Sequence, residues 1–250
     1  MSSWSDPRTL TRWMVSLPLL GCALLLPLLA APAVAAEGDK EYAVAAELYN
    51  LKSYDLAVEA WNSFLKTAPQ HPRAAHGQHY LGVSYFNLGQ LDQAEATFQK
   101  LVENNPKFDL LEQAQLYLGL SQFSQARKSA DQKAYARAAA TFAGLVEKYP
   151  QGKYLPQARY YQAEALYALG KKDQAVPLYQ AVVADKNAAS LKADALYALG
   201  VAQEELGKPE QAGSAYQQFL TYFPQNNLAE EVGFRLGESL LARNQYAEAE

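Results

Sequence analysis

Gln78–Pro106 reads QHYLGVSYFNLGQLDQAEATFQKLVENNP, and four of its features return along the chain. A small residue, Gly82, belongs to a column Ala45, Gly82, Gly119, Ala163, Gly200, Gly237, with steps of 37, 37, 44, 37 and 37. Ala94 belongs to a second column, Ala57, Ala94, Ala138, Ala175, Ala212, Ala249. Phe98 belongs to a ring column, Trp61, Phe98, Phe142, Tyr179, Tyr216. Pro106 belongs to a closing column, Pro69, Pro106, Pro150, Asn187, Pro224. One period that fits four independent columns is a repeat signature, and it is far more specific than any single motif in the chain.

The residues of the stretch dictate its local structure. Tyr80, Leu81 and Tyr85, with Gly77, Gly82 and Gly89, make one helix that carries small residues where a neighbour must come close. Gly89-Gln90 breaks it. Leu91–Asn104 then places Ala94, Phe98, Leu101 and Val102 at helical spacing, and Pro106 stops this second helix. Such a pair cannot bury its apolar face alone and must stack on copies of itself. The expected fold is all-α, a solenoid of antiparallel helix pairs over residues 37–250, with five repeats and part of a sixth.

Repeats are expected near Asp39–Pro69, Ala75–Pro106, Glu112–Pro150, Pro156–Asn187 and Ala193–Pro224, with the last opening near Glu230. The third holds seven extra residues within Gln122–Ala136, equal to about two helical turns. Its Ala, Gln, Lys and Arg content predicts one added turn on each helix rather than a loop. Pro156 and Pro209 suit first helical turns, and Pro177 falls just inside a second helix. The chain stops at Tyr246-Ala247-Glu248-Ala249-Glu250, one turn into the second helix of repeat six. No polar capping helix follows, which predicts that the polypeptide continues past Glu250.

Met1–Ala36 has the three parts of a secretory signal: Arg8 and Arg12, an apolar run Trp13–Leu29, and a small-residue exit Ala30–Ala36 in which Ala33-Val34-Ala35 or Val34-Ala35-Ala36 suits signal peptidase. An uncleaved anchor at residues 13–29 is the alternative. Leu19-Leu20-Gly21-Cys22 looks like a lipobox, although Ala23–Ala36 stays apolar where a lipoprotein turns polar. Cys22 is the single cysteine, so a chain cleaved near Ala36 has neither disulfide nor thiolate chemistry. The net charge is −4, and −5 without the leader, so a nucleic-acid partner with its basic footprint is not expected. Membrane association is expected only through an uncleaved leader or a lipid on Cys22. The periplasm, or another compartment outside the cytoplasm, is the expected location.

The repeat resembles the tetratricopeptide repeat (TPR) family in Leu81-Gly82, Tyr85, Ala94, Phe98 and Pro106, over about Asp39–Glu250. It departs from that pattern in Gln78 and Leu101 and in its period of 37. The long repeat, with an aromatic before proline in Tyr149-Pro150 and Phe223-Pro224, resembles the TPRs of bacterial envelope proteins, including outer-membrane assembly lipoproteins and periplasmic partners of the Tol system. The resemblance implies a right-handed superhelix. It also implies that the positions three before and four after the small column face its concave side. The first set is Tyr42, His79, Leu116, Tyr160, Tyr197 and Phe234. The second set is Tyr49, Phe86, Phe123, Tyr167, Glu204 and Leu241. The implied groove is aromatic and aliphatic, nearly uncharged until Glu204, Glu231 and Glu238, and it lacks the Lys and Asn with which some TPRs clamp acidic tails.

His76 and His79 share a helix face, but no third ligand stands at matching spacing and no metal site is expected. Glu204 and Glu205 point apart on a helix, no phosphate-binding glycine loop occurs, and no nucleophile elbow occurs. Neither a cofactor nor a catalytic role is therefore expected. The expected function is an extracytoplasmic scaffold that binds an apolar or amphipathic segment of another protein in its groove, in cell-envelope assembly or maintenance. The alternative is the docking arm of a larger enzyme or sensor whose catalytic domain lies past residue 250.

Overall fold

The computed structural model describes residues 30–242. Cys22 and the leader up to Leu29 lie outside the described residues, as do residues 243–250, where the second helix of repeat six is expected to begin. Eleven α-helices follow one another there in antiparallel pairs, and no strand occurs among the described residues. The pairs are α1 (Ala30–Asn50) with α2 (Tyr54–Thr67), α3 (Ala74–Asn87) with α4 (Leu91–Asn104), and α5 (Leu111–Ser129) with α6 (Gln132–Lys148). They continue with α7 (Leu155–Ala168) and α8 (Lys172–Ala184), then α9 (Lys192–Glu205) and α10 (Pro209–Tyr222), and α11 (Ala229–Ala242) opens the sixth repeat. The architecture is a right-handed TPR superhelix. No helix among the described residues is long and apolar enough to cross a membrane.

The tight turn inside each pair recurs with the same period. Lys52, Gly89, Gly170 and Gly207 all have positive φ, between 59° and 74°. The residue after each donates its N–H to a carbonyl five back: Ser53 to Leu48, Gln90 to Tyr85, Lys171 to Leu166 and Lys208 to Gln203. This left-handed cap closes the first helix and reverses the chain in three residues, which is why glycine dominates the column. In repeat three Ala130 takes the left-handed conformation instead, at φ 55°. There α5 and α6 run 19 and 17 residues, against 14 for each helix of repeat two, so the seven extra residues are taken up as helix.

The core is the ring column seated on the small column. Trp61, Phe98, Phe142, Tyr179 and Tyr216 are fully buried. A Cβ on Gly82 would lie 2.7 Å from the Phe98 ring, and one on Gly119 would lie 2.6 Å from Phe142. The tyrosine two residues before the small column then lies flat on the ring of the preceding repeat. Tyr80 stacks on Trp61 at 5.8 Å, Tyr117 on Phe98 at 5.5 Å, and Tyr161 on Phe142 at 5.9 Å. Each helix otherwise packs on its neighbours in the chain, and the first helices of successive pairs touch directly at α1–α3, α3–α5 and α5–α7. Beyond α7 that direct contact thins.

Candidate functional site: the groove between repeats four and five

Where contact between first helices thins, a cleft of about 340 Å³ opens between α7 and α9. Tyr160, Glu164 and Tyr167 come from α7, with Tyr179 of α8 beneath them. Asp194, Tyr197, Ala198 and Val201 come from α9. Three of the groove residues expected from sequence, Tyr160, Tyr167 and Tyr197, are therefore brought together, each half-buried.

The remaining expected residues are distributed differently. Tyr42 and Tyr49 are half-buried at the first junction, and the Arg73 guanidinium lies 4.0 Å over the Tyr42 ring while also pairing with Asp39. Phe86 is half-buried against Tyr117 at 5.4 Å. Phe234 stands 67% exposed on α11. His79, Leu116 and Phe123 do not line a groove; they are buried. Phe108, in the turn after α4, folds over His79 at 5.9 Å while Phe98 and Tyr117 close its other sides. Phe123 sits on the lengthened α5 and packs against Tyr135 and Tyr161 at 5.8 and 5.5 Å. Leu116 joins the same central cluster. The expected groove lining is thus interrupted in repeats two and three, where Phe108 covers His79 and where Tyr135 and Tyr161 cover Phe123. Tyr160 also packs at 6.1 Å on Tyr179, so it serves the core as well as the cleft.

The electrostatics of the cleft are set by tyrosine–carboxylate pairs that sequence reading missed. The Tyr179 hydroxyl donates to Glu164 at 2.7 Å and that of Tyr216 to Glu204 at 2.6 Å, both within one repeat. Between repeats, Tyr167 donates to Glu205 at 2.8 Å and Tyr197 to Glu231 at 2.7 Å. A buried phenol needs an acceptor. The legible signal was the change from Trp or Phe to Tyr in the ring column at Tyr179 and Tyr216, which calls for an acceptor nearby. Glu205 is held low by Lys172, 2.8 Å away. The Tyr197 hydroxyl and Arg235 hold Glu231 low. Burial pushes Glu164 up, against the Tyr179 bond that lowers it. Burial, then Glu164 and Asp194, push the Tyr160 hydroxyl up, against Arg127, which lowers it.

The remaining histidines do not gather with it. His71 faces Asp39 at 3.3 Å and His76 faces Asp109 at 3.1 Å. No group of three or more metal-ligating side chains occurs among the described residues.

In sequence, residues 35–189 match the profile of YfiO, outer membrane lipoprotein, which is more than half of the chain. The chain belongs to the YfiO family. A tetratricopeptide repeat profile matches residues 160–227. The YfiO match takes in α7 and Tyr179, and the repeat match takes in both walls of the cleft. No curated protein matches the chain in sequence. Among solved structures, a MamA protein superposes with a TM-score of 0.58 at 18% identity, covering 71% of this chain and 86% of its own. A MamA from AMB-1 gives 0.60 at 16% identity, covering 79% and 97%. TTC0263, a thermophilic TPR protein of Thermus thermophilus, gives 0.51 at 18% identity, covering 85% and 98%. At these identities the likeness is one of fold.

Proposed function

We propose that this YfiO-family chain is a non-catalytic scaffold outside the cytoplasm, that it holds a segment of another protein along its concave face, and that it serves cell-envelope assembly or maintenance. The observation that carries the reading is the open cleft at Tyr160, Tyr167 and Tyr197, which is lined by tyrosines that the core leaves half-exposed. Tyrosine offers apolar area and a hydroxyl with little rotamer entropy to lose, which suits it to contact a partner. The description of the family as outer membrane lipoproteins supports the location.

A photo-crosslinking residue at Val201, in the cleft, should capture a partner in living cells, and the same residue at Gln180 on the outer face of α8 should not. Tyr167→Ala should then weaken that partner by roughly 1–3 kcal/mol, the range of an interface anchor, with little change in melting temperature. Crosslinks from Gln180 alone, or unchanged affinity in Tyr167→Ala, refute the groove. Intact mass reports the leader: a start near Ala36 or an acylated Cys22 supports export, whereas a full-length chain in the cytoplasm refutes it.

A further inference from the structure

The cleft exists because one position in the repeat changes. The residue two before the small column runs Ala43, Tyr80, Tyr117, Tyr161, Ala198, Arg235. At three junctions a tyrosine there lies flat on the ring of the repeat before it. At the last junction it is Arg235, whose guanidinium pairs with Glu231 at 3.1 Å and Glu204 at 3.3 Å and lies 5.9 Å over the Tyr197 ring. Between repeats four and five it is Ala198, a methyl group, and the space that a planar side chain fills elsewhere stands open.

The surroundings of that space repeat the Arg235 site one period earlier. Tyr197 corresponds to Tyr160, and Glu231 corresponds to Asp194. Glu164 supplies the second carboxylate from the next turn of α7. No basic side chain among the described residues lies within ion-pair distance of Glu164 or Asp194; Arg127 of α5 stands beyond that distance, near enough to lower Glu164 and the Tyr160 hydroxyl without pairing with either. The neighbouring carboxylates Glu204, Glu205 and Glu231 each have one. Two further tyrosines on this face already carry a cation of their own chain: Tyr42 has Arg73, and Tyr167 has Lys172.

We propose that the cleft at Ala198 is a socket for an arginine side chain of the bound segment, its guanidinium set against Tyr160 and paired with Asp194 and Glu164. The proposal deepens the groove reading above and rests on it. A guanidinium fits better than an ammonium because it is planar, stacks on aromatic faces and pairs with carboxylates through fixed forks. Pairing also relieves the cost of holding the Glu164 carboxylate in a half-closed cleft. Within this chain, Arg235 performs the same act at the next junction.

The test titrates N-acetyl-arginine amide, its neutral isostere N-acetyl-citrulline amide, and N-acetyl-phenylalanine amide into the purified, processed protein, read by saturation-transfer NMR. The arginine amide should bind about tenfold more tightly than citrulline amide, the scale of charge-assisted hydrogen bonding. Ala198→Arg should abolish its binding by filling the socket from within. Asp194→Asn, at an exposed position with no bond to lose, should weaken it severalfold with the fold intact. Equal binding of citrulline amide, tighter binding of phenylalanine amide, or unchanged binding in Asp194→Asn overturns the socket. The two readings fail separately. A charge-blind cleft leaves groove crosslinks from Val201 standing, whereas crosslinks confined to the outer face remove the groove while arginine amide still binds.

Discussion

Gly119→Ala should destabilise the protein even though alanine is the better helix former. The Cβ would meet three atoms of the Phe142 ring, at 2.6, 2.8 and 2.9 Å. Real Cβ atoms do not approach so closely, so the ring must move. Phe142 is fully buried and carries Tyr161 on its face at 5.9 Å, so any retreat displaces the next repeat as well. Overpacking of this kind costs typically about 1–3 kcal/mol, and three contacts under 3 Å on a wedged ring put it at the upper end. Alanine recovers about 1 kcal/mol of helix propensity, which leaves a net loss of about 2 kcal/mol. Gly144→Ala is the matched control. It lies in α6 of the same repeat, is exposed, and has nothing within 4 Å of its added Cβ. It should gain about 0.5–1 kcal/mol. Urea denaturation of the two variants beside the parent measures the difference, and hydrogen exchange in α5 and α6 locates it. A Gly119→Ala protein as stable as the parent refutes the reasoning. The rings would then yield freely, as they have been accommodated in repeats one and four, where Ala45 and Ala163 hold the same position.

Two further outcomes follow from single residues. Burial holds the His79 imidazole down to about 4 from 6.5, so between those pH values the unfolded chain binds a proton that the folded chain refuses. Stability should therefore fall as pH drops from about 6.5 to 4, by about 3 kcal/mol in full, and His79→Leu should flatten that part of a urea-midpoint profile against pH. A profile unchanged by His79→Leu assigns the acid loss elsewhere. Ala130→Gly should raise the urea midpoint by about 0.5–1 kcal/mol of stability, because it places the left-handed turn of repeat three on the residue that the other turns favour. A lower midpoint contradicts the turn geometry.

The repeat and its core were legible in the sequence because each rests on chain-local facts. The Gly82 and Phe98 columns announce which side chain sits in which hollow, and the 37-residue step announces that the arrangement recurs. The extra turn in repeat three was legible from composition. The groove was legible only in part. His79, Leu116 and Phe123 occupy the same repeat positions as Tyr160 and Tyr167, yet their exposure is decided by how closely one repeat sits on the next. That distance depends on what fills the junction, which is Tyr117 or Tyr161 in one place and Ala198 in another. Glu164 escaped a search for charge because Ala46, Val83, Leu120 and Val201 hold its position in four of the other repeats. Only the need of the Tyr179 hydroxyl for an acceptor pointed to Glu164.

Every helix packs chiefly on the helices adjacent to it in the chain, so native contacts reach little further along the sequence than one repeat. Loop closure then costs little entropy at any stage, and folding is expected to be fast. More specifically, the order of synthesis is a workable order of folding. Once α1, α2 and α3 have emerged, Trp61 can settle beneath Tyr80 without waiting for anything downstream. Each later pair then closes on a surface already formed. A chain delivered through a narrow channel with its N-terminus leading can therefore build its superhelix progressively, and the unfinished end is the only part that needs shelter from aggregation at any moment.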